Sequence, residues 1–249
     1  MQVRRKYQLP SIAPIPGKLF DVEKLQEEVI RLNKEWVSVF QANRGLCSNH
    51  LTLAESNYEH FSQINLTYFE PSLNDVLDID DLKKECKVQA NSLMEGERMT
   101  LKYRTKVNRD KKLPPAMNEH NWYHPLPLYK DSYIKEAIES QFEATPIRVR
   151  LTRIAAGKFL TPHIDYDPTY AVRVIVPVQG TTGCVNKIWR KNVEESYEMP
   201  ADGRAYFLNT GLKHAVEHRG NEDRIALMFS LPNQKDIQEL EYLEHKNSN

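Results

Sequence analysis

The chain has 249 residues and lacks most features that would set it apart from an ordinary soluble domain. Cysteine is scarce: Cys47, Cys86 and Cys184 are odd in number and form no C-x-x-C pair, so they read as reduced intracellular thiols rather than a disulfide frame or a cysteine zinc site. Charge of either sign is not in excess. Lys and Arg together number 34, as do Asp and Glu, which leaves no global electrostatic footprint for nucleic acid or an anionic membrane. Long apolar runs are missing as well. The basic residues Arg4, Arg5 and Lys6 are not followed by an apolar stretch, because Pro10, Pro14, Pro16 and Gly17 interrupt it, so no secretory signal or membrane span is expected. A cytoplasmic location follows as the expectation. Without internal repeats or low-complexity linkers, a chain of this length suits one elaborated domain.

What the chain does have is a series of strand-like segments in its second half. Ile147 to Ile154 alternates apolar with polar residues and stops at Ala155-Ala156-Gly157, a strand followed by a turn. Val172 to Val178 is a β-branched run suited to a buried strand, and Ala205 to Asn209 leads through Gly211 to His214. Lys213 to His218 and Arg224 to Leu231 flank Arg219-Gly220-Asn221-Glu222-Asp223, whose Gly and Asn suit a tight hairpin. A hairpin centred there would set His214 opposite Leu227, with Arg224 displaced by about 10 Å along the neighbouring strand. Upstream, Val22, Leu25, Val29, Leu32, Trp36 and Val39 recur every three or four residues and predict a helix from Asp21 to Phe40, capped by Asp21 and packed on the outside of a sheet. Residues 45 to 75 could supply extra strands. Asp80 to Met94 and Ser132 to Phe142 read as helices, and the charged tail as helical around Ile237 to Leu243.

The chemistry centres on His163-Ile164-Asp165. Alternate residues of an extended strand share a face, so His163 and Asp165 can reach a common centre while Ile164 turns into the core. With His214 as a third ligand, two histidines and a carboxylate would form the facial set of non-heme Fe(II) oxygenases, which leaves positions open for cosubstrate and O2. Asp167 is a rival carboxylate, although its place before Pro168 suits a turn. His218 is a rival histidine, four residues beyond His214 on the same strand face. Arg224 could hold the free end of a dicarboxylate bidentately, with a charge that does not titrate away. Arg148 and Arg150 share a strand face and could bind a substrate carboxylate or pair with exterior acids. Arg173 reads equally well as a salt-bridged strand residue.

Substrate contacts are assigned to Trp122, His124, Arg150 and Tyr166. The first two lie in an aromatic segment framed by prolines, which could wall the iron or simply pin a loop. Tyr166 would point away from the metal on a regular strand unless a turn at Asp167-Pro168 redirects it. The basic run Lys102 to Lys112 reads as a solvated loop, or as a guide for an anionic substrate.

In His163-x-Asp165, His214 and Arg224, set among short strands, the chain resembles the double-stranded β-helix core of the 2-oxoglutarate- and Fe(II)-dependent oxygenases. Arg173-Val174-Ile175-Val176-Pro177-Val178 and the run from Phe207 to Val216 resemble the aspartyl/asparaginyl β-hydroxylase branch, which includes free-proline hydroxylases. The resemblance spans residues 146 to 232. It implies a mainly β fold with flanking helices and a jelly-roll, cupin-like core at 146–232, preceded by helices and added strands over 1–145 and followed by a polar tail at 233–249. It further implies that His163, Asp165 and His214 bind Fe(II) and that Arg224 holds the distal carboxylate of 2-oxoglutarate. Arg173 matches an arginine near the cosubstrate, whereas Ile175 stands where several members carry a histidine. Because related halogenases leave the carboxylate position vacant, Asp165 favours hydroxylation. The implied reaction consumes 2-oxoglutarate and O2, releases succinate and CO2, and oxidises an amino-acid side chain in a small molecule or a peptide, with no membrane or nucleic-acid partner. Other classes stay open: an oxygenase acting on nucleic acid or another metabolite, a non-catalytic cupin-like module, or a Zn(II) site.

Overall fold

The computed structural model describes residues 3–38, 60–68 and 119–240. The helix expected at Asp80 to Met94 and the basic run Lys102 to Lys112 lie outside the described residues.

The chain begins with β1 (Ile12–Pro14), α1 (Val22–Arg31), β2 (Val37–Ser38), β3 (Phe61–Asn65), β4 (Thr67–Tyr68), β5 (His124–Pro125), α2 (Pro127–Lys130) and α3 (Tyr133–Gln141). The core strands follow: β6 (Ile147–Ile154), β7 (Phe159–His163), β8 (Val172–Gln179), β9 (Cys184–Arg190), β10 (Val193–Glu198), β11 (Tyr206–Leu208), β12 (Lys213–His218) and β13 (Arg224–Leu231). One sheet has the order β1-β11-β8-β13-β6-β3-β2 and the facing sheet β10-β9-β12-β7, all antiparallel. From β6 to β13 the chain winds back and forth between the sheets, and only β9 and β10 are consecutive strands of one sheet. This winding is a double-stranded β-helix, the jelly-roll arrangement. The β9–β10 hairpin turns on Lys191 and Asn192, both with positive φ, as a two-residue turn that follows strand twist requires.

Strand alternation decides what each face holds. Val172, Val174 and Val176 of β8 and Leu227, Phe229 and Leu231 of β13 face outward from the larger sheet, where Leu25 and Val29 of α1 and Ile134 and Ile138 of α3 cover them. Each such apolar side chain contributes roughly 1.5–3 kcal/mol on full burial. The opposite faces line the space between the sheets, with Ile175, Ile188, Tyr206, Leu208 and Ala226 at its middle.

The predicted 21–40 helix is shorter than its periodicity suggested. Asp21 caps α1 by accepting from the Lys24 amide, but the helix stops at Arg31, passes through a single 3-10 turn at Asn33–Glu35 and becomes strand β2, whose Val37 pairs with Gln63. Edge pairing overrides the helical spacing there, and Trp36 stacks on the Arg153 guanidinium at 4.7 Å instead of extending the helical stripe. In α3, Ser132 and Phe142 are the caps of the helix foreseen over that span. The tail contributes a 3-10 turn at Lys235–Ile237.

The expected hairpin between Lys213–His218 and Arg224–Leu231 does not form. The two strands belong to different sheets, so His214 lies opposite His163 and Ile188, while Leu227 lies opposite Leu151 and Val176. The connection Arg219–Asp223 crosses between the sheets. It passes too close to its neighbours for side chains: a Cβ on Gly220 would come within 2.5 Å of the Thr182 carbonyl oxygen, and one on Gly180 (φ +62°) within 2.2 Å of the Asp223 carbonyl oxygen. Gly and Asn mark a reversal in either kind of connection, and the sequence does not distinguish the two.

Candidate metal centre and the buried arginine pocket

His163 ends β7, Asp165 follows in the outgoing loop, and His214 stands near the start of β12 directly across from His163. The imidazoles lie 4.2 Å apart between centroids, and His163 Nε2 is 3.8 Å from Asp165 Oδ1. One ligand atom from each of the three residues falls within 4.8 Å of the others. Both rings are oriented by their own strands: His163 Nδ1 bonds the Thr161 carbonyl at 2.7 Å and His214 Nδ1 the Leu212 carbonyl at 3.0 Å. A carbonyl oxygen only accepts, so Nδ1 carries the hydrogen in each ring and Nε2 presents its lone pair. Burial, reinforced by the neighbouring His163, pushes the His214 pKa down to about 4, which keeps it neutral. The Asp165 loop is fixed by its amide, which donates to the Thr210 carbonyl at 3.0 Å, while the Thr210 hydroxyl donates to the Tyr166 carbonyl at 3.2 Å.

Behind Asp165 lies a cluster of buried charge. Arg173 reaches Asp165 Oδ2 at 3.7 Å and Glu119 Oε1 at 3.3 Å, and Arg148 Nε approaches the same Glu119 oxygen at 3.7 Å. The other Glu119 oxygen accepts from the Tyr166 hydroxyl at 2.8 Å and the Ser230 hydroxyl at 3.2 Å. Burial alone would raise the Glu119 pKa, but the charges of Arg173, Arg148 and Arg150 overcome it and bring the carboxyl down to about 2. Arg150 differs from its neighbours: its Nη1 donates to the Arg148 carbonyl at 3.0 Å and its Nη2 to the Met228 sulfur at 3.2 Å. Burial, with the Arg173 and Arg148 charges added, holds its pKa well below the ordinary arginine value.

Local backbone explains why several arginines converge. Across β13, Met228 faces Arg150 while Ser230 faces Ile147, so β6 carries one extra residue. The bulge holds Arg148 at φ +51°, and its amide donates to the Trp122 carbonyl at 2.7 Å.

The remaining candidates fall in distinct places. Trp122 is fully buried, stacked on the Arg148 guanidinium at 4.2 Å and edge-on to Tyr68, so it supports the cluster from behind. His124 is exposed on the β4–β5 ribbon opposite Tyr68. Tyr166 turns into the cluster, with Arg173 5.1 Å over its ring and its hydroxyl on Glu119 and Ser230. Asp167 has the turn role, accepting from the Thr169 amide at 3.0 Å. His218 is buried at the other end of β12, where its Nε2 bonds the Glu222 carbonyl at 2.6 Å. Arg224 is buried at that same end beside Cys184, which lies opposite His218. Glu119 and Ser230 were not singled out in the sequence. A lone glutamate in a chain that is 27% charged carries no mark of burial.

No family model matches the chain, and no curated protein matches its sequence. Solved structures that overlap it include a 2OG-Fe(II) oxygenase family protein from Burkholderia pseudomallei (18% identity, TM-score 0.30), which matches over 34% of this chain and 41% of its own. A predicted oxalate decarboxylase from Thermotoga maritima (15%, TM-score 0.26) overlaps 39% of this chain and 73% of its own, and a cupin domain from Bordetella pertussis (14%, TM-score 0.27) 36% and 85%. The overlap thus spans less than half of the oxygenase's length. The jelly-roll assignment rests on the strand order.

Proposed function

We propose that the protein is an Fe(II)- and 2-oxoglutarate-dependent oxygenase that hydroxylates an amino-acid side chain, free or within a peptide, with release of succinate and CO2. The observation that carries this reading is the convergence of His163, Asp165 and His214 at one end of a double-stranded β-helix, with both imidazoles turned by backbone carbonyls so that Nε2 faces inward. The donor set fits the ion: two neutral imidazoles and one carboxylate suit Fe(II) and leave further coordination positions free. Bound there, the iron supplies the activation of O2 that side chains cannot perform.

The chain's own residues do the rest. His163 and His214 would hold the metal through Nε2 and Asp165 through its carboxylate, whose second oxygen lies toward Arg173. Arg224, buried between the sheets, is the candidate for the distal carboxylate of 2-oxoglutarate, where a guanidinium gives a bidentate, permanently charged partner. The packed interior around Ile154, Val216 and Cys184 keeps water from that contact. Anaerobic titration of Fe(II)-loaded protein with 2-oxoglutarate, read by a visible charge-transfer band and followed by a metabolite and peptide screen for succinate, tests the reading. No band and no succinate with any substrate would reduce the protein to a metal-binding cupin-like module.

A further inference from the structure

Among the described residues, the carboxylates beside the arginine pocket leave Arg150 and the Nη1 of Arg173 without an anionic hydrogen-bond partner. Arg148, Arg150 and Arg173 are each at least nine-tenths buried, and the carboxylates that face them are Glu119 and Asp165. Both Glu119 oxygens are already engaged, and Asp165 belongs to the metal set. Two groups are left over. Arg173 Nη1 is buried without a hydrogen-bond partner, and Arg150, among the described residues, meets a carbonyl and a thioether but no carboxylate. The two side chains project from the same interior face: Arg150 lies opposite Met228, and Arg173 opposite Ser230, on the strand between them. A buried guanidinium without an anion is strongly unfavourable, and a divalent ion beside Asp165 would add further positive charge. An incoming anion answers both.

We propose that Arg150 and the free Nη1 of Arg173 form the recognition site for a carboxylate on the compound that is oxidised, which makes the substrate an organic acid. The proposal rests on the oxygenase reading for the word substrate, but the carboxylate site stands on the pocket alone. It sits at the metal end of the interior, whereas Arg224 lies at the other end of β12, beside Cys184. The two ends therefore supply separate addresses for two anionic ligands. Glu119 is the fixed counter-ion that keeps the arginines extended toward the incoming group.

The test uses Zn(II)-loaded protein, which binds without turnover, and ligand-observed NMR with propionate and its neutral counterpart propionamide. Propionate should bind at least tenfold more tightly than propionamide, and its binding should be additive with 2-oxoglutarate. Arg150→Gln should abolish the preference, Arg150→Lys should restore part of it, and Arg224→Gln should leave it in place. Equal binding of acid and amide, or a preference that survives Arg150→Gln, would overturn the site without relying on any one variant's folding. Competition between propionate and 2-oxoglutarate would overturn the assignment to the substrate and give the pocket to the cosubstrate. Failure of 2-oxoglutarate to bind at all would remove the oxygenase reading instead, leaving the acid-over-amide contrast to be judged separately.

Discussion

The two ends of the space between the sheets both bury arginine, but they treat it differently. At the metal end, Arg148 and Arg173 share the Glu119 carboxylate, which Tyr166 and Ser230 also bond. At the far end Arg224 lies beside Cys184, a neutral thiol whose own pKa burial pushes up. One end is a network whose members hold each other in place. The other holds one buried arginine, paired with Ile154 across the sheet, at the end of β12 where His218 lies opposite Cys184. A network suits precise placement of a reacting molecule beside a metal, and a lone buried cation suits capture of one carboxylate.

Removing the metal end's purpose should have the largest effect. His163→Ala or His214→Ala should abolish Fe(II)-dependent succinate formation and stoichiometric metal uptake while circular dichroism stays near wild type. Retained activity in either variant, with loss in His218→Ala, would move the centre to the other end of β12 and dissolve the contrast.

The next effect is on stability. Glu119→Gln should destabilise the fold by about 3–5 kcal/mol in urea unfolding, because it strands buried guanidinium charge. The same carboxyl gives a pH signature. Its folded pKa of about 2 lies below the ordinary 4.5, so its contribution is fully present above pH 4.5 and is lost as pH falls from 4.5 through 2. Stability of the wild type should fall across that window more steeply than that of Glu119→Gln. Parallel curves would mean that Glu119 does not anchor the network.

Arg224→Ala tests the far end and should raise the apparent Michaelis constant for 2-oxoglutarate by roughly ten- to a hundredfold, the loss of a charge-assisted contact of about 1.5–3 kcal/mol. An unchanged constant would transfer the cosubstrate to Arg173 and leave the two ends without separate roles. The smallest effect should come from Trp122→Phe, which trims the indole under Arg148 and should lower stability by about 1 kcal/mol in thermal unfolding while leaving 2-oxoglutarate affinity unchanged.

Much of this arrangement is legible in the chain. The bounds of β6, β12 and β13 coincide with the segments read as strands; in β13 the face of Ile225, Leu227, Phe229 and Leu231 is apolar throughout, and Val149 and Leu151 of β6 join the same layer. His163 and Asp165 could be grouped from their alternate spacing, although β7 ends at His163 and it is the outgoing loop, held by the Asp165 amide on the Thr210 carbonyl, that brings the carboxylate to the histidines. The pairing of His214 could not be read: a Gly-Asn turn looks the same whether it returns the chain to the same sheet or carries it across to another. Glu119 was invisible for a different reason. Its partners come from β6, β8 and β13 and from the loop after β7, and nothing in its own neighbours announces that three separate strands will surround it. Trp122, read as a candidate wall over the iron, turned out to be a buried support, since an aromatic flanked by prolines signals burial without saying on which side.

The extra residue in β6 changes the parity of that strand. Up to the bulge, Arg150, Thr152 and Ile154 point between the sheets. Beyond it Ile147 joins Tyr166 and Ala171 in an apolar cluster of its own. A single strand thus supplies a charged middle and a greasy rim, which an uninterrupted two-residue period could not do with residues 147 and 150. Deleting Val149 would restore unbroken pairing with Ile147 still opposite Ser230, but it would set Arg148 opposite Phe229 on the outer face and withdraw its charge from Glu119.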